Sequence, residues 1–304
     1  MRNMPILEGI HREDVMRNAD FPLEITLLHW YQCNLNCFYC STRQIGKYPE
    51  AFDFNQALQD LELLSKTGLE TVILQGPGEP FLYKHLLYQL LEINQVKHFN
   101  TVVITNGTLV TEEDIRQLLP MRVSLIFKID SLEKKIMKKI YNTNDTFKFR
   151  QVKNAQLPAG FYLALKHQMN KDRRIGISCV INPMNTVNDM KPLVDILRFA
   201  RQHSIIPYFN CMMECKDKDK KNILSIKKET FSHRDAFELL SRVDREEFGI
   251  FWTPVLPVAG YDHCTSRYDY VLYNGKVYKW CYSQHMVEEI FVDDLKSFIK
   301  NRNP

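Results

Sequence analysis

Three cysteines lie within eight residues of one another, at Cys33, Cys37 and Cys40. Thiolates are soft ligands that bind zinc or iron–sulfur clusters. Zinc sites usually combine two closely spaced pairs of ligands, and this segment has three thiols without a nearby fourth. Three thiolates on a four-iron cluster would leave one iron open, as a catalytic metal keeps one position for its substrate. The spacing therefore favours a reactive cluster over a zinc site.

The composition is that of an ordinary globular protein that does not need disulfides. The chain has 304 residues, of which 45% are hydrophobic and 25% are charged, and a core of this size is stable without cross-links. Residues 1–20 carry several charged side chains and no apolar segment, which argues against a signal peptide. We therefore expect a cytoplasmic protein whose cysteines are reduced.

Membrane insertion and nucleic-acid binding are both disfavoured. No uncharged apolar run approaches the roughly 20 residues of a membrane-spanning helix. The net charge of +4 is too small to indicate a nucleic-acid partner. The locally basic stretch 216–228 alternates with Asp217 and Asp219, which is typical of a solvated loop or helix face, and a binding patch is the alternative.

The elements that must position the cysteines alternate between strands and helices. Six apolar runs predict strands, at 24–30, 71–75, 101–105, 123–129, 176–181 and 205–210. Helical patterns lie between and after them, at 54–64, 83–96, from 111, 132–141, 187–203 and 229–242. Continuous apolar runs are typical of strands buried on both faces of a parallel sheet. The sequence therefore predicts an array of βα units over residues 1–225, with its chemistry at the carboxyl ends of the strands.

The C-terminal part, residues 226–304, differs from this array. Asn274 and Gly275 separate two short β-rich segments, and both turn residues tolerate positive φ, so a hairpin is predicted over 270–279. Cys264 precedes this hairpin and Cys281 closes it. We expect a small appended module that ends in a helix near residues 295–301.

Two motifs together resemble the radical S-adenosyl-L-methionine (SAM) superfamily. The cysteines follow its C-x3-C-x2-C pattern with an aromatic residue, Tyr39, before the last one. The run Gln75-Gly-Pro-Gly-Glu-Pro80, after the second predicted strand, is similar to the superfamily's Gly-Gly-Glu-Pro loop. The resemblance implies a partial (β/α)6 TIM-like barrel. It also implies a 4Fe-4S cluster on the three cysteines, with SAM bound to the open iron.

The resemblance assigns cofactor-binding roles to residues in the Gly-Glu-Pro loop and beside the last cysteine. The loop residues Gly76, Gly78, Glu79 and Pro80 would contact the methionyl amine, because glycines let a backbone approach a ligand closely. A plain βα turn is the alternative for this loop. Tyr39 would pack beside the adenine, and a surface aromatic is its alternative.

Further strand ends carry polar residues that the resemblance also assigns to SAM, namely Asn106, Lys128, Asp130 and Asn182. Many relatives have Ser-x-Asp-Gly at the end of the fourth strand, so Lys128 departs from the pattern. A lysine is a suitable partner for a bound carboxylate, and a solvent-facing lysine is the alternative.

The arrangement Cys264, ten residues, Gly275, five residues, Cys281 resembles the SPASM and twitch extensions that hold auxiliary clusters in this superfamily. No cysteine follows Cys281, so a full two-cluster module is not expected. One auxiliary cluster would form if Cys211 and Cys215 joined Cys264 and Cys281. The alternative is a cluster-free remnant with four buried cysteines. Cys179, inside the fifth strand, is predicted to pack in the core, with a role as thiol hydrogen donor as its alternative.

The activity that the resemblance implies is reductive cleavage of SAM to a 5′-deoxyadenosyl radical that takes a hydrogen atom from a peptide or small natural-product precursor. Oxidation or crosslinking is expected with an auxiliary cluster, and epimerisation or rearrangement without one. An electron donor such as flavodoxin or ferredoxin is the expected partner. About 20 residues precede the first strand, so we expect no leader-peptide-binding domain. The alternative of another class is a non-catalytic zinc or iron–sulfur protein.

Overall fold

The computed structural model describes residues 22–28, 32–40, 51–76, 78–142, 148–211, 232–251, 270–283 and 286–302. For residues 211, 280–283 and 286–290 it describes the backbone only. The predicted basic stretch 216–228 and the predicted boundary between residues 225 and 226 lie outside these ranges.

Parallel strands form the centre of the fold. They run in the order β1-β2-β3-β4-β7-β8 within one sheet, and each is parallel to its neighbours. Their bounds are β1 Glu24–Leu28, β2 Thr71–Gln75, β3 Asn100–Thr105, β4 Val123–Lys128, β7 Ile175–Ile181 and β8 Ile206–Cys211. The six predicted strands are thus confirmed, as is the partial barrel class.

Helices follow the strands in the predicted alternation. Their bounds are α1 Phe54–Leu64, α2 Lys84–Val96, α3 Glu112–Leu118, α4 Lys134–Tyr141, α5 Ala159–Lys166, α6 Val187–Gln202, α7 His233–Phe248 and α8 Leu295–Lys300, with a 3-10 helix at Pro80–Tyr83. The Asp53 side chain accepts a hydrogen bond from Gln56 N at the start of α1. Thr111 and Asp114 form a reciprocal capping box on α3. Such caps satisfy backbone N–H groups that have no partner within the helix.

Several elements differ from the prediction, including a C-terminal strand at Met286–Asp294 that was not predicted. The helix predicted at 229–242 is α7, which begins after the Ser232 cap and ends at Gly249 in the left-handed conformation. A hairpin of β5 Phe149–Val152 and β6 Ala155–Pro158, followed by α5, was not predicted. Its strands have four residues each, too few for a periodic pattern to be recognised.

The C-terminal strands extend the central sheet instead of forming a separate layer. They are β9 Tyr270–Tyr273, β10 Lys276–Ser283 and β11 Met286–Asp294. The predicted hairpin is confirmed, since β9 and β10 pair across a turn in which Asn274 and Gly275 have φ of 46° and 73°. β9 also pairs in parallel with β1, opposing Thr26 to Val271 and Leu27 to Leu272. Among the described residues the sheet therefore has nine strands, with β1 between β2 and β9.

Alternate side chains of the parallel strands enter two different clusters. Val72 and Leu74 of β2 belong to the large core that the helices cover. Ile73, between them, packs with Val102, Ile126 and Ile206 in a small cluster on the other face. This inner face is the interior of the partial barrel. No helix among the described residues has the length and apolar character needed to cross a bilayer.

Candidate functional site

The cysteine loop, residues 32–40, follows β1 and is held by the last turn of α4. Asn36 N donates to Tyr141 O at 2.9 Å, and Phe38 N donates to Ile140 O at 3.2 Å. Leu35, only 2% exposed, packs against Met137, Ile140 and Tyr141. Backbone hydrogen bonds and apolar packing together fix the loop that carries the three thiols.

The three thiols differ in exposure and lie in one electrostatic environment. Cys33 is exposed, whereas Cys37 and Cys40 are half-buried. The Cys33 Sγ accepts hydrogen bonds from Leu35 N at 3.4 Å and from the Asn106 amide at 3.9 Å. Burial raises the pKa of Cys37 well above its usual range, and negative charge on Asp130, Cys40 and Cys33 raises this pKa further. A thiolate at this position would need a nearby cation, such as a bound metal ion, to stabilise it.

Within the described part of the chain, no three His, Cys, Asp or Glu side chains are placed to hold one metal ion. A four-iron cluster binds each thiolate through a different iron, so its three ligands do not converge on one point. Hydrogen bonds to a ligating sulfur, such as those to the Cys33 sulfur, change the reduction potential of a bound cluster.

The Gly-Glu-Pro loop is organised by the side chain of Glu79, which is 2% exposed. Its carboxylate accepts hydrogen bonds from Phe81 N at 3.1 Å, the Thr105 hydroxyl at 2.6 Å and Asn106 N at 2.8 Å. Burial raises the pKa of Glu79 to about 6, against the opposing effect of these three donors. Glu79 N in turn donates to Gln32 O. The side chain thus joins this loop to the end of β3, and the backbone joins it to the cysteine loop.

The other predicted residues of this loop lie where the sequence predicted the turn. Gly76 and Gly78 follow β2 and are half-buried, and Pro80 is buried at the start of the 3-10 helix. Pro77, between the two glycines, lies outside the described residues. Contact of Gly76, Gly78, Glu79 and Pro80 with SAM stays a prediction.

Asn106 connects the end of β3 to the cysteine loop. Its amide donates to Asn34 Oδ1 at 3.0 Å and lies 3.9 Å from the Cys33 sulfur. Its own oxygen accepts from Thr108 N at 2.9 Å. The predicted polar position at this strand end therefore supports the first cysteine directly.

Tyr39 and Asp130 contact each other at the mouth of the barrel. The Tyr39 hydroxyl donates to the carboxylate of Asp130, which is fully buried and also accepts from Val180 N at 2.5 Å. Burial and the neighbouring Asp130 raise the pKa of Tyr39 well above its usual range. The structure brings these two predicted residues together, and their contact fixes the orientation of the Tyr39 ring in the apolar cluster that includes Cys37.

Lys128 lies on the inner face of the sheet. Side chains two residues apart on a strand share a face, and Ile126 belongs to the inner cluster. The Lys128 ammonium donates to Ser178 Oγ at 3.0 Å, and Asn210 donates to the same oxygen at 2.9 Å. The Lys128 ammonium also lies 6.0 Å from the centroid of the Tyr39 ring. Ser178 and Asn210 were not predicted, although Ser178 could have been found from the two-residue period of β7.

Asn182 and Cys179 point into the protein. Asn182 is fully buried, and its side chain donates to Val180 O and accepts from Met184 N. Cys179 is also fully buried, lies in the helix-covered core and accepts a hydrogen bond from Asn185 at 3.4 Å. The Asn182 side chain thus stabilises the turn after β7. The position of Cys179 agrees with its predicted packing role.

The four cysteines predicted for an auxiliary cluster are outside the described side chains. Cys215 and Cys264 lie in undescribed segments, and Cys211 and Cys281 are described by backbone only. Cys211 ends β8, at one end of the strand order, and Cys281 lies in β10, next to the other end.

Comparison with known families and proteins identifies the segment that holds this site. A family model described as the radical SAM superfamily matches residues 27–174. The 7-carboxy-7-deazaguanine synthase of Clostridium acetobutylicum is 27% identical over 184 residues, which are 57% of this chain and 83% of that protein. The chain spans only 20% to 38% of the length of the first curated relatives that it matches. The family match includes the cysteine loop, Glu79, Asn106, Lys128 and Asp130.

Solved structures share the fold at low identity. SuiB of Streptococcus suis bound to the precursor peptide SuiA superposes with a TM-score of 0.57 and 14% identity, over 87% of this chain and 60% of that one. Native anSMEcpe with bound AdoMet superposes with a TM-score of 0.55 and 15% identity, over 92% and 79% of the two chains.

Proposed function

Because this chain belongs to the radical SAM superfamily, we propose that Cys33, Cys37 and Cys40 bind a 4Fe-4S cluster whose open iron binds SAM. The chemistry supplied by the bound cluster and SAM is reductive cleavage to a 5′-deoxyadenosyl radical, which takes a hydrogen atom from the substrate. The observation that carries this proposal is that one loop holds the three thiols beside the Glu79, Asn106 and Asp130 strand ends.

The residues of the chain would bind and orient the cofactor. The loop from Gly76 to Pro80 is fixed by Glu79 and places its backbone next to Gln32 of the cysteine loop. Lys128 presents an ammonium group on the inner face, where a carboxylate would be its ordinary partner. Tyr39 is oriented by Asp130, which suits it to pack against a flat ring such as adenine.

We propose a peptide or a small natural-product precursor as the substrate, with oxidation or crosslinking as the net reaction. Support for a peptide comes from the fold that the chain shares with SuiB, whose structure contains a precursor peptide. Support for a small molecule comes from the similarity to 7-carboxy-7-deazaguanine synthase. An auxiliary cluster on Cys211, Cys215, Cys264 and Cys281 would favour oxidation, and its absence would favour epimerisation or rearrangement.

Anaerobic reconstitution tests this proposal. With iron, sulfide and SAM, the wild-type protein is expected to bind at least about four irons and to release 5′-deoxyadenosine when dithionite is added. The Cys37→Ala variant should lose this release because the cluster loses a ligand. Cys179→Ser is the matched control, because it removes a thiol outside the cysteine loop and keeps a hydrogen-bonding group beside Asp130. It should release 5′-deoxyadenosine as the wild type does.

Iron counting separates the remaining alternatives. If Cys37→Ala still releases 5′-deoxyadenosine, the assignment of the three cysteines is wrong. Zinc in place of iron in the purified protein, with no release, would favour a non-catalytic metal protein. In a variant with alanine at Cys33, Cys37 and Cys40, residual iron of roughly four per chain indicates an auxiliary cluster, and loss of all iron indicates a remnant.

A further inference from the structure

Residues 134–153 form a locally basic part of the chain, in addition to the stretch 216–228 that lies outside the described residues. Residues 134–153 contain seven lysines and arginines and a single acidic residue, Asp145, whereas the whole chain has a net charge of only +4. Six of these cations are exposed, and we refer to them as the basic surface: Lys135, Lys138 and Lys139 of α4, and Lys148, Arg150 and Lys153 of the β5–β6 hairpin. None of the six forms an ion pair with a carboxylate among the described residues. The remainder of the chain is slightly acidic, so this charge is local.

The helix and the hairpin form one surface. The Lys134 ammonium lies 5.7 Å from the centroid of the Phe149 ring, a cation–π contact that joins α4 to β5. Phe149 also packs against the apolar cluster of Leu35 and Met137 beneath the cysteine loop. The basic surface is therefore fixed relative to that loop.

The basic surface lies next to the predicted cluster. The last turn of α4 accepts the hydrogen bonds from Asn36 N and Phe38 N, the residues on either side of Cys37. A cleft of about 810 Å³ lies between the segment 108–112, the hairpin and α5, with Asn34 of the cysteine loop at its wall. Lys148 and Arg150 of the hairpin line it, as does Glu112, which forms an ion pair with Lys166. A negatively charged partner seated here would contact the neighbours of Cys33 and Cys37.

The position favours an electron carrier over a substrate. A substrate must reach the inner face, where Lys128 and Ser178 lie, whereas the basic surface consists of solvent-exposed side chains of an outer helix and a hairpin. Electron transfer requires closeness to the cluster but no open channel. Charge complementarity of this kind also accelerates and orients a transient encounter between two proteins.

We propose that the basic surface docks a small redox protein with an acidic surface, of the flavodoxin or ferredoxin type, which reduces the cluster on the cysteine loop. In this step the carrier is oxidised by one electron and the cluster is reduced by one electron, and no bond is made or broken at the docking surface. This inference rests on the proposed function, because only a cluster on the three cysteines would need an electron from a partner.

Charge reversal on the reconstituted protein tests the proposal with two separate pairs. The first variant is Lys138→Glu with Lys139→Glu, and the second is Lys148→Glu with Arg150→Glu. The control is Lys296→Glu with Lys300→Glu, which changes the net charge equally on exposed positions of α8, a helix that packs on α1 and the C-terminal hairpin. Thermal melting confirms folding, and Lys138→Gln with Lys139→Gln replaces the first variant if that one does not fold.

Binding of a purified acidic flavodoxin is measured by calorimetry at several salt concentrations. At low salt, each reversed pair should raise the dissociation constant for flavodoxin by roughly tenfold or more, and this constant should then change less with salt concentration. The control variant should bind flavodoxin as the wild type does. Release of 5′-deoxyadenosine driven by reduced flavodoxin should fall in parallel. Release driven by dithionite should not change, because that small reductant needs no docking surface.

The opposing outcomes are distinct. Flavodoxin binding that is equal in the reversed pairs and in the wild type would overturn the proposal. So would a result in which the pairs lose only the binding of an acidic peptide or an RNA and keep that of flavodoxin. If the wild type releases no 5′-deoxyadenosine even with dithionite, the proposed function fails, and the calorimetric measurement still decides whether the surface binds an acidic redox protein.

Discussion

Several residues of the site connect neighbouring loops by hydrogen bonds. Glu79 is the residue for which we expect a measurable effect on the free energy of unfolding. Its buried carboxylate has three hydrogen-bond donors and no ion pair among the described side chains. A carboxylate in this environment is stabilised by hydrogen bonds and destabilised by burial. The raised pKa shows that burial has the larger effect.

Glu79 is therefore expected to make the folding stability depend on pH. Because its pKa is about 6 in the folded protein and 4.5 ordinarily, the folded state binds the proton more tightly than the unfolded state. This contribution is complete below pH 4.5 and is lost as the pH rises through 6, a change of roughly 2 kcal/mol. Urea unfolding of the wild type and of Glu79→Gln between pH 5 and 7.5 measures the difference, and only the wild type should show this loss.

Glu79→Ala provides the second comparison for this residue. It removes the acceptor of three buried donors and should cost about 3 kcal/mol at neutral pH, more than Glu79→Gln. Equal pH profiles for the wild type and Glu79→Gln would contradict the buried-carboxylate interpretation.

The residues that could be predicted from sequence are those whose partners are close in the chain. The three cysteines lie within eight residues, and the Gly-Glu-Pro loop is contiguous. Ser178 and Asn210 were missed because they meet Lys128 only through the pairing of β4 with β7 and of β7 with β8. The contacts of Glu79 with Thr105 and with the predicted residue Asn106 were not predicted for the same reason.

Among the elements, the junction between α3 and β4 depends on one arginine. Arg174 precedes β7, is 5% exposed, and donates to the carbonyls of Leu118, Leu119, Met121 and Val123 at 2.8 to 2.9 Å. The carbonyls at the end of a helix have no partner within it. The planar guanidinium is suited to bonding several acceptors at once.

Substitution of Arg174 should destabilise the protein strongly. Arg174→Ala leaves buried carbonyl groups without a donor and should cost about 3 kcal/mol or more, and Arg174→Lys should recover only part of this loss. Thermal and urea unfolding provide the measurement. Arg116→Ala on the exposed side of α3 is the control, because its ion pair with Glu112 is largely solvated, and it should unfold like the wild type.

The parallel strands and the helices between them were largely predictable, whereas the β5–β6 hairpin, α5 and the nine-residue β11 were not. The parallel strands are apolar runs with both faces covered, which is a strong local signal. The β5–β6 hairpin and α5 are short, and Gly160 at the start of α5 is required by packing instead of propensity. A Cβ added there would lie 2.6 Å from Gly107 O. Such a close approach between distant segments has no signature in the local sequence.

For the whole molecule, the pairing of β1 with β9 makes the two ends of the described chain one structural unit. Leu272 of β9 is fully buried in the same core as Ile25 and Leu27 of β1. The prediction of an appended C-terminal module did not include this pairing, because a turn signal identifies a hairpin but not the sheet that it joins. The strand that leads into the cysteine loop is thus covered by the C-terminal part.

Leu272→Ala should therefore weaken both ends of the chain together. The lost methyl groups and the cavity should cost about 2 to 5 kcal/mol, and amide hydrogen exchange should accelerate in β1 as well as in β9. Val292→Ala, at a position that is 37% exposed, is the control and should change neither. Faster exchange in β9 with unchanged protection of β1 would show that the two strands open independently.

The pairing of Thr26 with Val271 also determines when β1 can complete its strand pairing during synthesis of the chain. Some 245 residues separate the two partners, and at about 5 to 20 residues per second the ribosome needs roughly 12 to 50 seconds to deliver the second after the first. Throughout that interval the nascent β1 has an open edge, and the cysteine loop follows a strand that is paired on one side at most. If the cysteine loop binds a cluster as proposed, insertion of that cluster is therefore expected after β9 has paired with β1.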